Sequence, residues 1–328
     1  MEKLPFLVPI EADMRRLDGL IRERLGSDVA LVRQVAEYII GGGGKRLRPA
    51  LVLLSAGACG YPAAGAPEGR AHHELAAVVE FIHTATLLHD DVVDASELRR
   101  GRHTANAEFG NAAAVLVGDF LYSRAFQMML GAGSMRVMQV LADATNTIAE
   151  GEVLQLMNCH DPAVDEARYL DVVRRKTAKL FEAAARLGAV AAGAPQQVEA
   201  GLADYGAHLG TAFQVIDDVL DYSGDAESIG KSLGDDLAEG KPTLPLIRVM
   251  ASGPAEQAAL VRQAIIEGGR ADFARVLKAV RDCGALEYAR AAAEREAQAA
   301  REALAPLPAS IHKDSLLELA SFSVVRRS

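Results

Sequence analysis

The sequence predicts an all-α protein, and three observations carry that prediction. Ala, Leu, Glu, Gln and Arg, all good helix formers, fill long stretches of the chain. Aromatic residues make up only 5% and Trp is absent; no alternating β-branched run extends beyond a few positions, so strands have little support. Apolar residues recur at spacings of three and four, the period of an amphipathic helix.

The elements follow in order. Val29, Val32, Val35, Ala36 and Ile39 form a stripe over 27–41; Leu75, Val78, Val79, Ile82, Thr86 and Leu87 form another over 72–91. The stretches 111–131, 134–158, 165–192 and 197–222 read as long helices, and 254–326 as several shorter ones. Breaks fall at 41–44, 61–69, Pro162, 193–195, 223–243 and 306–308, none long enough for a disordered linker between domains. Long striped helices with short connections suggest one bundle, so a single domain over residues 1–328 is expected.

Half of the residues are hydrophobic, enough to bury a sizeable core without staples. Cys59, Cys159 and Cys283 are odd in number and far apart, and no CxxC occurs, which suits a reducing cytoplasm. A net charge of −9 argues against a nucleic-acid partner. The short apolar run at the N-terminus is broken by prolines and lacks the core of a secretory signal. The longest uncharged stretch, between Arg48 and Glu68, contains Gly57, Gly60, Pro62, Gly65 and Pro67, so no membrane-spanning helix is expected there.

Two aspartate clusters carry the chemistry. HDDVVD (89–94) and IDDVLD (216–221) are near copies, each behind an apolar helical stretch. Residues four apart on a helix share a face, with Cβ atoms about 5–6 Å apart. Asp90 and Asp94 therefore point the same way and Asp91 is turned aside; Asp217, Asp218 and Asp221 repeat the pattern. Paired carboxylates suit Mg²⁺, which is usually held by one or two carboxylates plus substrate phosphates. A solvated acidic helix end is the competing reading, and the duplication disfavours it. The EF-hand pattern is absent.

Basic residues accompany both clusters. GGGGKRLRP (41–49) is not a P-loop, because Ile39 and Arg46 stand where Gly and Ser or Thr belong. Its free amides with Lys45, Arg46 and Arg48 nevertheless suit a diphosphate; a flexible loop with solvated charges is the alternative. Arg99 and Arg100 follow the first cluster, Lys231 and Lys241 follow the second, and Lys176 lies in RRKTAKLF. Together these cations and carboxylates describe a site for two diphosphate groups. His83, two helical turns before Asp90, is either a phosphate donor or a satisfied core histidine; Gln214 precedes Asp217 by three. No Ser-His-Asp or Cys-His spacing supports nucleophilic catalysis.

The colinear motifs GGGGKRLRP, FIHTATLLHDDVVDASELRRGR, GNAAAVLVGDFLYSRAF, EGEVLQL, KTAKLFEAA, GTAFQVIDDVLDY and GDDLAEGKPTLPL resemble those of the trans-isoprenyl diphosphate synthases, the polyprenyl synthetase family, from about residue 20 to 250. The resemblance implies an isoprenoid-synthase-type helical bundle around a deep central cavity, assembled as a homodimer. It implies two or three Mg²⁺ ions on Asp90, Asp94 and Asp217, with Asp91, Asp218 and Asp221 as lesser ligands. Lys45, Arg48, His83 and Arg100 would bind isopentenyl diphosphate. Arg99, Lys176, Thr177, Gln214, Lys231 and Lys241 would hold the allylic diphosphate. Asp90, Asp94, Lys176, Asp217 and Lys231 form the implied catalytic set.

Short-chain members of that family close the product tunnel with an aromatic residue just before the first aspartates. Here Ala85 and Thr86 are small, so a long product of about octaprenyl length is expected, with Phe126, Met128 and Met129 as candidates for the floor or as simple core residues. Such a product would furnish a ubiquinone side chain and would leave through transient membrane contact. The alternatives are a shorter or longer product, a silent subunit of a heteromeric synthase, a terpene cyclase or a helical scaffold. DDVLD in place of an NSE-type motif favours elongation over cyclisation, and two intact clusters disfavour the silent subunit.

Overall fold

The computed structural model describes residues 4–61, 71–223, 234–268 and 271–326. Helices dominate, as the periodicity predicts. A 3₁₀ turn (Pro5–Ile10) leads into α1 (Glu11–Arg24), α2 (Ala30–Gly41), α3 (Leu47–Ala58) and α4 (Ala71–Val93). A hairpin follows, β1 (Leu98–Arg99) antiparallel to β2 (Arg102–His103). Then come α5 (Ala105–Phe109), α6 (Asn111–Gly131), α7 (Met135–Asn158), α8 (Glu166–Val173), α9 (Lys179–Ala191) and α10 (Gln196–Ser223). The C-terminal part holds α11 (Asp235–Ala238), α12 (Leu244–Ser252), α13 (Ala255–Glu267), α14 (Phe273–Asp282), α15 (Ala285–Ala303) and α16 (Ile311–Val325).

The chain divides into two compact units: Met1–Thr145 with Leu180–Gly206 and Arg301–Leu319, and Asn146–Lys179 with Ala207–Ala300 and Ala320–Ser328. In the first, α4 packs most extensively on α6 and also meets α1, α3 and α5. Its apolar residues are buried on more than one side, from Leu75, Val78 and Val79 to Phe81, Ile82 and Leu88, as befits a helix enclosed by others. The facing stripe of α6 is Ala114, Val117, Leu121, Ala125 and Met129. A Cβ at Gly118 would collide with the His89 ring, so glycine permits this close approach. The second unit has its own core, in which Val215, Ile216 and Val219 of α10 join Leu246 of α12, Ile265 of α13 and Val280 of α14.

Three features differ from the sequence expectation. The span 165–192 is α8 and α9 joined by a π turn at Arg174–Ala178. Gly151 of α7 leaves room for that turn, since a Cβ there would stand 2.6 Å from the Lys176 backbone nitrogen. The hairpin at 98–103 has only two residues per strand, too few to show alternation. The third is at Arg46, which takes a left-handed conformation at the N-terminus of α3, the helix expected after the glycine run; no described helix is long and apolar enough to cross a membrane.

Candidate active site

In the first unit, one face of α4 carries Glu80, His83, Thr84, Leu87 and Asp91, at helical spacings of three and four. This face walls a pocket completed by Tyr38 at the end of α2, Gly43 in the glycine loop, and Arg99, Arg100 and Arg102 of the hairpin. The hairpin thus folds three guanidinium groups back over the helix that ends in the aspartates.

Several of these charges have an identifiable holder. Asp91 is fully buried, and Arg99 donates to its Oδ1 from Nε at 2.9 Å and from Nη2 at 2.7 Å. Asp90 and Asp94 are half-buried, so the middle aspartate is the one turned inward, as the spacing predicts. Arg48 donates from Nη1 to His83 Nε2 at 3.1 Å and lies over the Phe181 ring, 4.4 Å from its centroid. Burial, then the charges of Arg48, Arg100 and Arg99, push the His83 imidazole well down; it is neutral, with Nε2 as acceptor. Arg100 donates to the Gly43 carbonyl. A Cβ at Gly44, where φ is +140°, would stand 2.6 Å from Arg100 Nη1, so only glycine leaves room for that guanidinium. Lys45 is half-buried beside this loop. Ala85 is fully buried on α4, and Thr86 turns its hydroxyl onto the His83 carbonyl at 2.8 Å. On α6, Met128 and Met129 are buried, and Phe126 is half-buried against Tyr122, with ring centroids 5.6 Å apart.

The second unit presents a different arrangement. Asp218 is buried, and it accepts from the Tyr169 hydroxyl at 2.6 Å and from Gln214 Nε2 at 2.8 Å. Thr177 donates to Gln214 Oε1 at 3.0 Å, so the π turn and α10 share one polar network. Its neighbour Lys176 pairs with Glu152 at 2.6 Å. π turns of this kind occur often at functional sites. Asp221 Oδ1 accepts from the Gly234 and Asp235 amides at 3.2 and 3.3 Å. Burial, then the charges of Asp236 and Asp235, push its carboxyl up to about 8. Burial raises Asp218 well above the carboxylate range too, with Asp236 adding to it. Asp217 remains exposed and receives Arg326 Nη2 at 2.5 Å. Lys241 pairs with Glu239. Lys231 lies outside the described residues.

Four contributors escaped the sequence reading. Glu80 has a buried Oε2 without a hydrogen bond among the described residues, and burial raises its carboxyl against the pull of Arg46, Arg48 and Arg100. Its place on the α4 face, three before His83, is the signal that was available. Arg102 stacks over the Tyr38 ring at 4.6 Å. Tyr169 and Arg326 lie 49 and 109 residues from the aspartates they hold, so spacing could not reveal them.

The donor set fits a hard divalent cation. Each cluster offers carboxylate oxygens only, and Asp91 Oδ2 and Asp221 Oδ2 are buried oxygens with no hydrogen bond among the described residues.

Comparison with known proteins agrees with this chemistry. A family model described as polyprenyl synthetase matches residues 29–283. The chain is 54% identical to octaprenyl diphosphate synthase of Escherichia coli over 96% of both chains. Among solved structures, polyprenyl synthase from Caulobacter crescentus, complexed with calcium and isoprenyl diphosphate, is 46% identical, with a TM-score of 0.93 over 98% of this chain and 97% of that one. Decaprenyl diphosphate synthase from Rhodobacter capsulatus is 45% identical, with a TM-score of 0.91 over 98% of each chain. A match of this length and identity, on top of the duplicated aspartates and their cations, places the chain in the polyprenyl synthetase family, the prenyltransferases that extend isoprenoid diphosphates head to tail.

Proposed function

We propose that the protein is a long-chain trans-polyprenyl diphosphate synthase that adds isopentenyl diphosphate to an allylic primer, farnesyl diphosphate by preference, until the product is about octaprenyl. The observation that carries this reading is the α4 face, where the Arg48–His83 pair and the hairpin arginines lead into the first aspartates. The product length is that of the 54% identical relative. The 45% identical decaprenyl synthase shows how far length varies among proteins this similar.

Asp90, Asp94 and Asp217 would hold Mg²⁺, two or three ions, against the allylic diphosphate, with Asp91, Asp218 and Asp221 as lesser ligands. Bound there, the ions supply positive charge to the leaving diphosphate. Arg99, Lys176, Thr177, Gln214 and Lys241 would position that diphosphate, as would Lys231. Lys45, Arg48 and Arg100 would fix the isopentenyl diphosphate, with His83 orienting Arg48. Holding the two anions together converts a bimolecular encounter into an oriented reaction. The allylic C–O bond ionises, the isopentenyl double bond attacks the cation, and loss of a proton restores the alkene. Released diphosphate is the base.

The growing tail would pass Ala85 and Thr86 toward Phe126, Met128 and Met129. We further assign the chain to a single domain, a homodimeric state, the cytoplasm and the supply of quinone side chains, with transient membrane contact at product release. Incubation of the purified chain with farnesyl and isopentenyl diphosphates and Mg²⁺, followed by mass analysis, should give mainly octaprenyl diphosphate. Ala85→Phe should shorten the product. Consumption of farnesyl diphosphate alone, with release of hydrocarbon, would refute chain elongation; an unchanged product from Ala85→Phe would refute the tail's path.

A further inference from the structure

Far from the aspartates, α1 and the first turn of α4 bring a second set of metal-type ligands together. Eighteen residues separate His72 from Asp90 along α4, about 27 Å at helical rise. His73 Nε2 lies 3.0 Å from Asp13 Oδ1, and His72 Nε2 lies 4.0 Å from the same oxygen. One ligand atom from each of the three residues falls within 4.8 Å of the others. Ligands at zinc-type bond lengths in a tetrahedral site stand about 3.3–3.5 Å apart, so the observed separations bracket what one ion needs.

The two imidazoles are built into the protein rather than hung on its surface. Each residue is only 6% exposed, their ring centroids are 3.9 Å apart, and the Tyr61 ring meets His72 edge-on at 4.8 Å. His72 Nδ1 is buried without a hydrogen-bond partner among the described residues, and Asp13 Oδ1, at 4.0 Å, lies beyond hydrogen-bond reach of its Nε2. The gap between Nε2 and the carboxylate is of the size that an ion at zinc-type bond lengths would span. We infer that Asp13, His72 and His73 bind one first-row transition-metal dication, of the Zn²⁺ or Co²⁺ class, separate from the aspartate clusters.

Donor chemistry selects that class. Two imidazole nitrogens and one carboxylate favour Zn²⁺ or Co²⁺ over Mg²⁺, which prefers oxygen. Three protein ligands leave a fourth position for water. Burial, then His73, pushes His72 down to about 4, so it presents a neutral ring at physiological pH. Arg16, 3.9 Å from Asp13, is the nearest opposing cation, and its side chain is 65% exposed. His312 of α16 also senses the Asp13 charge. The ion would clamp α1 onto α4.

The test uses the full chain, stripped with chelator and titrated with Co²⁺ in excess Mg²⁺, which competes for the oxygen-only clusters. Equilibrium dialysis should give one Co²⁺ per chain, with the intense visible bands of a four-coordinate site. Asp13→Asn, His73→Ala and the milder His73→Gln should each weaken binding about tenfold or more, with folding checked by circular dichroism, while Asp90→Asn should leave it unchanged. Absence of the four-coordinate bands in the unmutated chain overturns the inference, whatever the variants do, and so does their loss in Asp90→Asn.

Discussion

The two aspartate clusters are nearly identical in sequence and unlike in surroundings. In both, the middle carboxylate is buried and the residues one before and three after it share a different face. Asp91 is held by a cation, the Arg99 fork. Asp218 is held by neutral donors, the Tyr169 hydroxyl and the Gln214 amide. The cation-held cluster sits beside three hairpin arginines, whereas the second has Asp235 and Asp236 as neighbours that raise its carboxyls. A repeated motif therefore fixes which face each aspartate occupies; its charge is set by whatever the tertiary fold packs against it.

The largest difference should appear when the two holders are removed. Arg99→Ala leaves a fully buried carboxylate without its cation and should destabilise the fold by about 3–5 kcal/mol. Tyr169→Phe removes one neutral hydrogen bond and should cost about 1–3 kcal/mol. Urea unfolding of both variants measures the contrast, and equal losses would break it.

Next in size is the response to pH. Asp221 is raised from 3.8 to about 8, so the folded chain binds this proton more tightly than the unfolded one. Its contribution to stability is complete below the unfolded value and is lost as pH rises through the folded one. The chelator-treated chain should thus lose stability between about pH 4 and pH 8 through this group. Asp221→Asn should flatten that slope in the same unfolding series. A slope unchanged by the substitution would place the titrating group elsewhere.

The smallest effect concerns Arg326. Arg326 lies over the Phe213 ring at 3.6 Å and pairs with Asp217, whose side chain is 45% exposed. Arg326 itself is only 4% exposed, but the exposed carboxylate keeps the pair to about 1 kcal/mol. Arg326→Ala should therefore raise Mg²⁺ affinity of the substrate-free chain only a few-fold, read by calorimetry. A fall in affinity would mean that the arginine helps to shape the site rather than compete for Asp217.

Much of this was legible in the sequence, because helical periodicity is a local property. The span 111–131 is α6 to the residue, and the four-residue spacing alone turned Asp91 away from Asp90 and Asp94. Features made by distant partners were not legible. Neither Tyr169 nor Arg326 has a sequence signal linking it to α10, and Glu80 reads as one polar position in an apolar stripe. The π turn escapes because its residues keep helical periodicity while adding to the turn. The hairpin escapes because its conformation rests on Gly101, φ +73°, and on Thr104 donating to Ser96 at 2.6 Å, not on strand propensity.

The central claim is that both clusters grip one allylic diphosphate. Asp90→Asn and Asp217→Asn should each lower kcat/KM by about 10²–10³-fold, by removing charge that steadies the leaving group. The double variant decides the matter. If the clusters act on one diphosphate as a unit, it should be little worse than the poorer single variant. Fully additive losses would show two independent sites and contradict the account.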